Sequence, residues 1–369
     1  MSFYEELGIT RYINAHDTYT VYGGSRMSER TLKAMREAAA SFVDMEELQD
    51  SLGKAIARLT RNESAFVCNG AAGGLLLCAA VCMTEGDLFR YSRLPDTTNL
   101  KNEIIIMRSQ RNAYDKAVEA SGAKIIEIGD ADETLAYDLE GNINERTAAV
   151  FYFESLHFKR ASMPLEQVIN IAHKHQVPVV VDAAAQLPPV ENLWKFTDMG
   201  ADLVVFSGGK TLCGPQDSGL ILGKEKYISI CRQFGAPAHG ICRSSKVSRE
   251  AMAGLYQALK EFVSLDFDSW ERALYDRCIR LSKLMDNTGV FVTSIIDYGP
   301  VGQRYPRVFG KIKDGTSVHT IRELMLLRRI YIGVESRENS IYFSPLNLTE
   351  EETDQVGKAL LEVLQEIKK

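Results

Sequence analysis

The chain has 369 residues, 45% hydrophobic and 25% charged, which excludes a disordered chain, a collagen-like repeat and a disulfide-stapled miniprotein. Its net charge is −6, from 43 Lys+Arg against 49 Asp+Glu, so no general attraction to nucleic-acid phosphates is expected. The seven cysteines form no CxxC pair, which argues against a zinc site or a disulfide framework and fits reduced cytoplasmic thiols.

Taken in chain order, the start MSFYEELGITRYINAHD has no basic region, apolar run and small-residue cleavage site, so it does not read as a secretory signal. The most apolar stretch, 73–83, is far shorter than the ~20 residues of a membrane helix. A soluble, cytoplasmic protein with no membrane partner is expected. From about residue 60 to 223 the chain alternates short β-branched runs with helical patterns. The runs are SAFVCN (64–69), EIIIMR (103–108), KIIEIG (124–129), AAVFYF (148–153), VPVVVDA (177–183), ADLVVFS (201–207) and GLILG (219–223). Amphipathic stretches lie between several of them, at 112–122 and 165–175. Continuously apolar strands separated by helices predict a mostly parallel sheet buried on both faces, the doubly wound α/β class. A long helical pattern follows at 248–265. The remainder predicts a helix near 270–287, strands near 290–298, 304–312, 329–334 and 340–344, and a final helix with Thr349 and Glu352 as a capping box. Two domains are expected: 1–247, a large domain with an N-terminal arm, and 248–369, a linking helix with a smaller α/β domain.

In a doubly wound sheet, ligands bind outside the carboxyl ends of the strands. Asp182 ends one apolar run, and Lys210 follows another within FSGGKTLCGPQ. A lysine in a glycine-flanked loop at a strand end is not explained by packing. Partial burial lowers a lysine's pKa and makes its amine nucleophilic, the condition for a Schiff base. A carboxylate held opposite is what a pyridine ring nitrogen needs to stay protonated. Ser207 has a hydroxyl to offer a phosphate. In VCNGAAGGLLLCAA (67–80) a strand runs into small residues and a helix start, whose free N–H groups attract anions. Such starts also serve close helix–sheet packing. Beside the Asp–Lys pair, Gly70, Ala71 and Ala72 read as a 5′-phosphate cup.

These motifs, with NAHDTYTVYGGSRMS (14–28), FVDMEELQ (42–49), RSQRNAYDKAVEASGA (108–123) and CRSSKVSREAMAGLYQAL (242–259), resemble the fold-type-I pyridoxal-phosphate enzymes. The similarity is to the branch that contains L-seryl-tRNA selenium transferase and D-glucosaminate-6-phosphate ammonia-lyase, over roughly residues 8–265. The resemblance implies pyridoxal 5′-phosphate as cofactor, Lys210 as the Schiff-base lysine and Asp182 as the pyridinium partner. It implies that Gln110, or its neighbour Arg111, packs over the ring. Gln186 is a candidate donor to the phenolic oxygen. Arg26, Arg243 and Lys246 would meet anionic substrate groups. His16-Asp17 departs from the small residues that ammonia-lyase-like members tend to carry before TYT.

Three outcomes are open to such a site, namely transamination, racemisation and expulsion of a β-substituent; the resemblance favours elimination. The expected activity is therefore an ammonia-lyase acting on a 2-amino-3-hydroxy acid, such as a phosphorylated amino sugar acid. The alternatives are a seryl-tRNA selenium transferase, against which stand the acidic balance and the start of the cofactor-domain motifs at Asn14, and a racemase or aminotransferase. The same resemblance implies a homodimer or larger homo-oligomer. His173 and His175, two apart on a predicted helix, diverge too far to share a metal. Cys213 reads as a small buried thiol.

Overall fold

The computed structural model describes residues 2–368. The chain divides into two compact units. The larger comprises residues 26–264 and 300–302 and holds a seven-stranded sheet. Its strands are β1 (Ser64–Asn69), β2 (Glu103–Met107), β3 (Lys124–Ile128), β4 (Thr147–Phe153), β5 (Val179–Asp182), β6 (Leu203–Ser207) and β7 (Ser218–Gly223), in the spatial order β1-β7-β6-β5-β4-β2-β3. Only β7 runs antiparallel to its neighbours. The apolar runs therefore became the strands, and β2, β4 and β7 are buried along their whole length, as a sheet covered on both faces requires.

The helices of this unit include α1 (Glu29–Ala39), α2 (Met45–Thr60), α3 (Gly70–Thr84), α4 (Leu165–Lys174), α5 (Asn192–Asp198), α6 (Glu225–Phe234) and α7 (Arg249–Val263). Every residue of α3 from Gly74 to Thr84 is buried, so this helix is apolar all round and lies inside the unit. Gly74 permits its closeness to the sheet: a Cβ there would sit 2.8 Å from Val205 and 3.0 Å from Cys68. The outer edge of β1 is closed by a side chain. Gln49 of α2 donates to the Val67 carbonyl at 2.6 Å and accepts from the Val67 N–H at 3.3 Å. It thereby satisfies two groups that a neighbouring strand would otherwise pair. The stretch 112–122 departs from the expected helix. Asn112 accepts from the Tyr114 N–H and Asp115 returns to the Asn112 N–H, which sets a 3₁₀ turn followed by the short helix Lys116–Glu119.

The smaller unit comprises residues up to 25, 265–299 and those from 303. Its sheet contains β8 (Phe291–Ile296), β9 (Arg307–Ile312), β10 (Gly333–Glu335) and β11 (Ser340–Phe343), antiparallel in the order β10-β11-β9-β8. Helices α8 (Phe267–Asn287), α9 (Val318–Leu327) and α10 (Glu350–Ile367) supply apolar residues to its core. The Thr349–Glu352 capping box starts α10 as expected.

The boundary expected between 247 and 248 falls instead after Ser264. Helix α7 belongs to the larger unit because it packs along α1 and α2; Arg249 also donates to the Ala38 and Ala39 carbonyls. The N-terminal arm, expected with the large domain, belongs to the smaller unit. Ile13 and Asn14 pair with Ile330 and Tyr331. Asp17 and the fully buried Arg307 form an ion pair at 2.8 Å, and the Tyr305 hydroxyl donates to Asp17.

Removing one member of a buried ion pair strands the other charge away from water. Arg307→Leu is expected to lower stability to urea by about 3–5 kcal/mol. The double variant Arg307→Leu with Asp17→Leu should recover part of that loss.

Candidate active site

The carboxyl ends of β1, β2, β4, β5 and β6 lie along one edge of the sheet, together with the start of β7. Strand register brings the expected residues together there. Phe153 at the end of β4 pairs with Asp182 at the end of β5, and Asp182 pairs with Val205, two residues before Ser207. Ser207 pairs with Gly219 on β7. A Cβ on Gly219 would lie 2.5 Å from the Gly70 carbonyl and 3.0 Å from the Ala71 nitrogen. Gly219 therefore seats the first turn of α3 against the strand beside Ser207. Sequence reasoning missed this residue, although a glycine at a strand start is a mark of close backbone approach.

Gly70 adopts φ +60° and opens α3, and residues 69–73 keep accessible surface while the helix beyond them is buried. No side chain caps this helix start. The N–H groups of its first turn are therefore available to an anion.

Asp182 is partly buried and accepts from the Ala184 N–H at 2.9 Å. Burial raises its carboxyl above the ordinary aspartate range. The Ala184 N–H and then the positive charge of Lys210 offset part of that rise. The structure thus places the lysine within electrostatic reach of the carboxylate. Lys210 itself is half-buried in the loop between β6 and β7. Two glycines build that loop: a Cβ on Gly208 would meet the Ser218 hydroxyl at 2.1 Å, and one on Gly209 would meet Gln216 at 2.3 Å. Cys213, expected to be buried, is half-exposed with φ +55°, and its N–H closes the turn on the Lys210 carbonyl.

Arg243 and Lys246 are exposed on the turn Ile241–Ser245 and just after it. Among the described residues their side chains make no hydrogen bond or ion pair. Asn69 donates to the Lys246 carbonyl at 3.0 Å, and a Cβ on Gly73 would lie 3.3 Å from that of Ser245. These contacts dock the basic turn against the start of α3. Arg26 is exposed at the first position of the larger unit.

Two expectations for the cofactor ring are not met. Gln110 is completely buried; its amide accepts from the Phe153 N–H at 2.8 Å and donates to Ser162 at 3.1 Å. A side chain that packs over a ring must present a face to open space, and Gln110 presents none; it ties the ends of β2 and β4. Arg111 is turned to Asp115, Glu119 and Glu127. Gln186 gives its amide hydrogens to the carbonyls of Glu154 and Val301, so it has no donor left for a phenolic oxygen. His173 is more than a surface residue of α4. It bonds the buried Asp202, which also receives Lys224 and the Val179 N–H, at the opposite edge of the sheet.

The donor set fits pyridoxal phosphate. An uncapped helix start with Ser207 beside it suits a phosphate. A burial-raised carboxylate suits a cationic ring nitrogen, and a lysine within reach of that carboxylate suits an aldehyde carbon.

Comparisons with known proteins bear on the family and the fold. The family model for L-seryl-tRNA selenium transferase matches residues 23–274. The chain is 31% identical over 266 residues to D-glucosaminate-6-phosphate ammonia lyase of Salmonella typhimurium, covering 71% of this chain and 70% of that one. It is 32% identical over 292 residues to 5′-C-glycyluridine monooxygenase-decarboxylase of a Streptomyces species, covering 77% and 71%. A solved structure of D-glucosaminate-6-phosphate ammonia-lyase superposes with a TM-score of 0.87 at 25% identity over the full length of both chains. The likeness thus extends beyond residue 265, through the part of the chain whose sequence added little. With the strand order and the Asp182–Ser207–Lys210 edge described above, this chain belongs to the L-seryl-tRNA selenium transferase family, within the fold-type-I pyridoxal-phosphate enzymes.

Proposed function

We propose that this protein is a pyridoxal-phosphate-dependent ammonia-lyase acting on a phosphorylated 2-amino-3-hydroxy sugar acid of the D-glucosaminate 6-phosphate type. The observation that carries the reading is the likeness to the solved ammonia-lyase over the whole of both chains, combined with the strand register that sets Asp182 and Ser207 at one sheet edge, with the Lys210 loop directly after Ser207. The names of both relatives describe an amino acid function on a sugar-derived skeleton, which supports a substrate of that class.

The cofactor, when bound, supplies an electron sink that weakens the substrate Cα–H bond. The rest falls to the chain. Asp182 holds the ring-nitrogen proton, because a carboxylate at a low-dielectric strand end regains its charge against a cationic N–H. Gly70, Ala71 and Ala72 offer backbone N–H groups, and Ser207 a hydroxyl, to the cofactor phosphate. The Lys210 amine takes the Cα proton, and its ammonium returns a proton to the departing β-hydroxyl. Water lost in that step is regained when the released enamine hydrolyses, so the net products are a 2-keto-3-deoxy acid and ammonia. Arg243 and Lys246 meet the distal phosphate and Arg26 the carboxylate, each as a charge-assisted partner.

The protein works in the cytoplasm as a homodimer or larger homo-oligomer, without a nucleic-acid partner. The exposed Phe42 and Val43 (95% and 51% accessible) are apolar surface that a second subunit would cover. Among the described residues no helix is long and apolar enough to cross a membrane. The selenium transferase reading keeps the support of the family model; the net charge of −6 weighs against a tRNA surface. Salt-sensitive retention of seryl-tRNA would favour it.

Lys210→Ala is expected to abolish the visible absorbance of the bound cofactor and to cut ammonia release from D-glucosaminate 6-phosphate by about 10³-fold or more. Release of ammonia and keto acid from serine or D-amino acids, with none from amino sugar acids, would overturn the substrate class. A second expectation follows from Asp182. Its carboxyl is raised in the folded protein, so the folded state holds that proton more tightly than the unfolded one. The cost to stability therefore grows as pH rises from about 4 through the folded value, and is complete above it. Cofactor-free Asp182→Asn should melt above the wild type at pH 7, the gap narrowing toward pH 4, while binding the cofactor more weakly.

A further inference from the structure

Asparagine is among the best residues for capping a helix, since its side-chain oxygen accepts from the N–H groups of the first turn. Asn69 stands at the cap position of α3 with extended backbone, φ −83° and ψ 91°, yet makes no such bond. Elsewhere in the same unit Ser28, Asp44 and Ser248 each use the side chain to cap α1, α2 and α7. The Asn69 amide instead donates to the Lys246 carbonyl at 3.0 Å.

The segment it holds is fastened on two further sides. The Tyr91 hydroxyl donates to the Phe234 carbonyl at 2.7 Å and accepts from the Cys242 N–H at 3.3 Å. Gly73, on the first turns of α3, leaves room for Ser245. The turn ends on Arg243 and Lys246, both exposed. One asparagine thus links the open start of α3 to the 241–246 turn that carries the exposed Arg243 and Lys246.

We propose that Asn69 is a positioning residue with two coupled effects. By turning away from the helix it leaves the first-turn N–H groups free for the cofactor phosphate. By holding the Lys246 carbonyl it fixes Arg243 and Lys246 at the rim, where they select substrates that carry a distal phosphate. The second effect rests on the proposed lyase reading; the first does not. A residue kept only for stability would cap the helix, because capping and the attraction of a carboxylate to the helix dipole both favour the folded chain. Asn69 forgoes that gain.

The test uses Asn69→Asp and Asn69→Ala in the full chain, with cofactor-free melting temperature, pyridoxal phosphate affinity by absorbance titration, and steady-state kinetics. Aspartate cannot donate to the Lys246 carbonyl and its carboxylate can cap α3. Asn69→Asp should therefore raise the cofactor-free melting temperature by about 2 °C and weaken cofactor affinity by about tenfold, since its charge occupies the same N–H groups and repels phosphate. Asn69→Ala should raise the KM for D-glucosaminate 6-phosphate about fivefold, more than it alters kcat. The KM for unphosphorylated D-glucosaminate should move less. A fall in both melting temperature and affinity for Asn69→Asp, or equal KM changes for the two substrates, overturns the proposal. If the wild type binds cofactor but turns over no amino sugar acid, the lyase reading fails. The opposite shifts of stability and affinity then still decide the role of Asn69.

Discussion

The candidate site depends on one steric constraint, the seating of the first turn of α3 against strand β7 at Gly219. No side chain larger than hydrogen fits there, because a Cβ would overlap the Gly70 carbonyl. The contact sets the depth of a helix that is buried on every side beyond its first turn. It also brings that turn beside Ser207, the register partner of Gly219. Two strands further along the same edge is Asp182, with Lys210 in the loop that joins Ser207 to Gly219. Uncapped helix start, hydroxyl, carboxylate and amine are therefore ordered by strand register, with one glycine closing the gap between helix and sheet.

What could be read from sequence follows the same logic. The placement of Asp182, Ser207 and Lys210 at the sheet edge was legible because apolar runs of five to seven residues mark buried strands, and polar residues at or just past their carboxyl ends are left at that edge. Other features depend on distant partners. Nothing in RSQRNAYD shows that Gln110 is claimed by the Phe153 N–H 43 residues later. Gln186 likewise carries an amide whose two donors are taken by carbonyls on separate segments. Local spacing gives the neighbourhood of such residues, and tertiary bonding decides which way each one faces.

The domain boundary failed for a related reason. The pattern of α7 shows an apolar stripe but not what covers it, and in the structure α1 and α2 do. Arg307, in YPRVF, is fully buried, its charge met by a carboxylate 290 residues earlier. Buried charges are the least legible class of residue, since their tolerance depends on a counter-charge that sequence distance conceals.

That same pair of residues has a consequence for how the protein is made. The smaller unit is built from both ends of the described chain, so Asp17 and the short strand at Ile13 leave the ribosome long before Arg307 and Ile330 exist. At about 5–20 residues per second, 290 residues take roughly 15–60 s to synthesise. All seven strands of the larger unit, Ser64 to Gly223, are made within that interval, before Arg307 and Ile330 exist. The Asp17–Arg307 pair and the Ile13–Ile330 pairing of the smaller unit can therefore form only after the strands of the larger unit have been made.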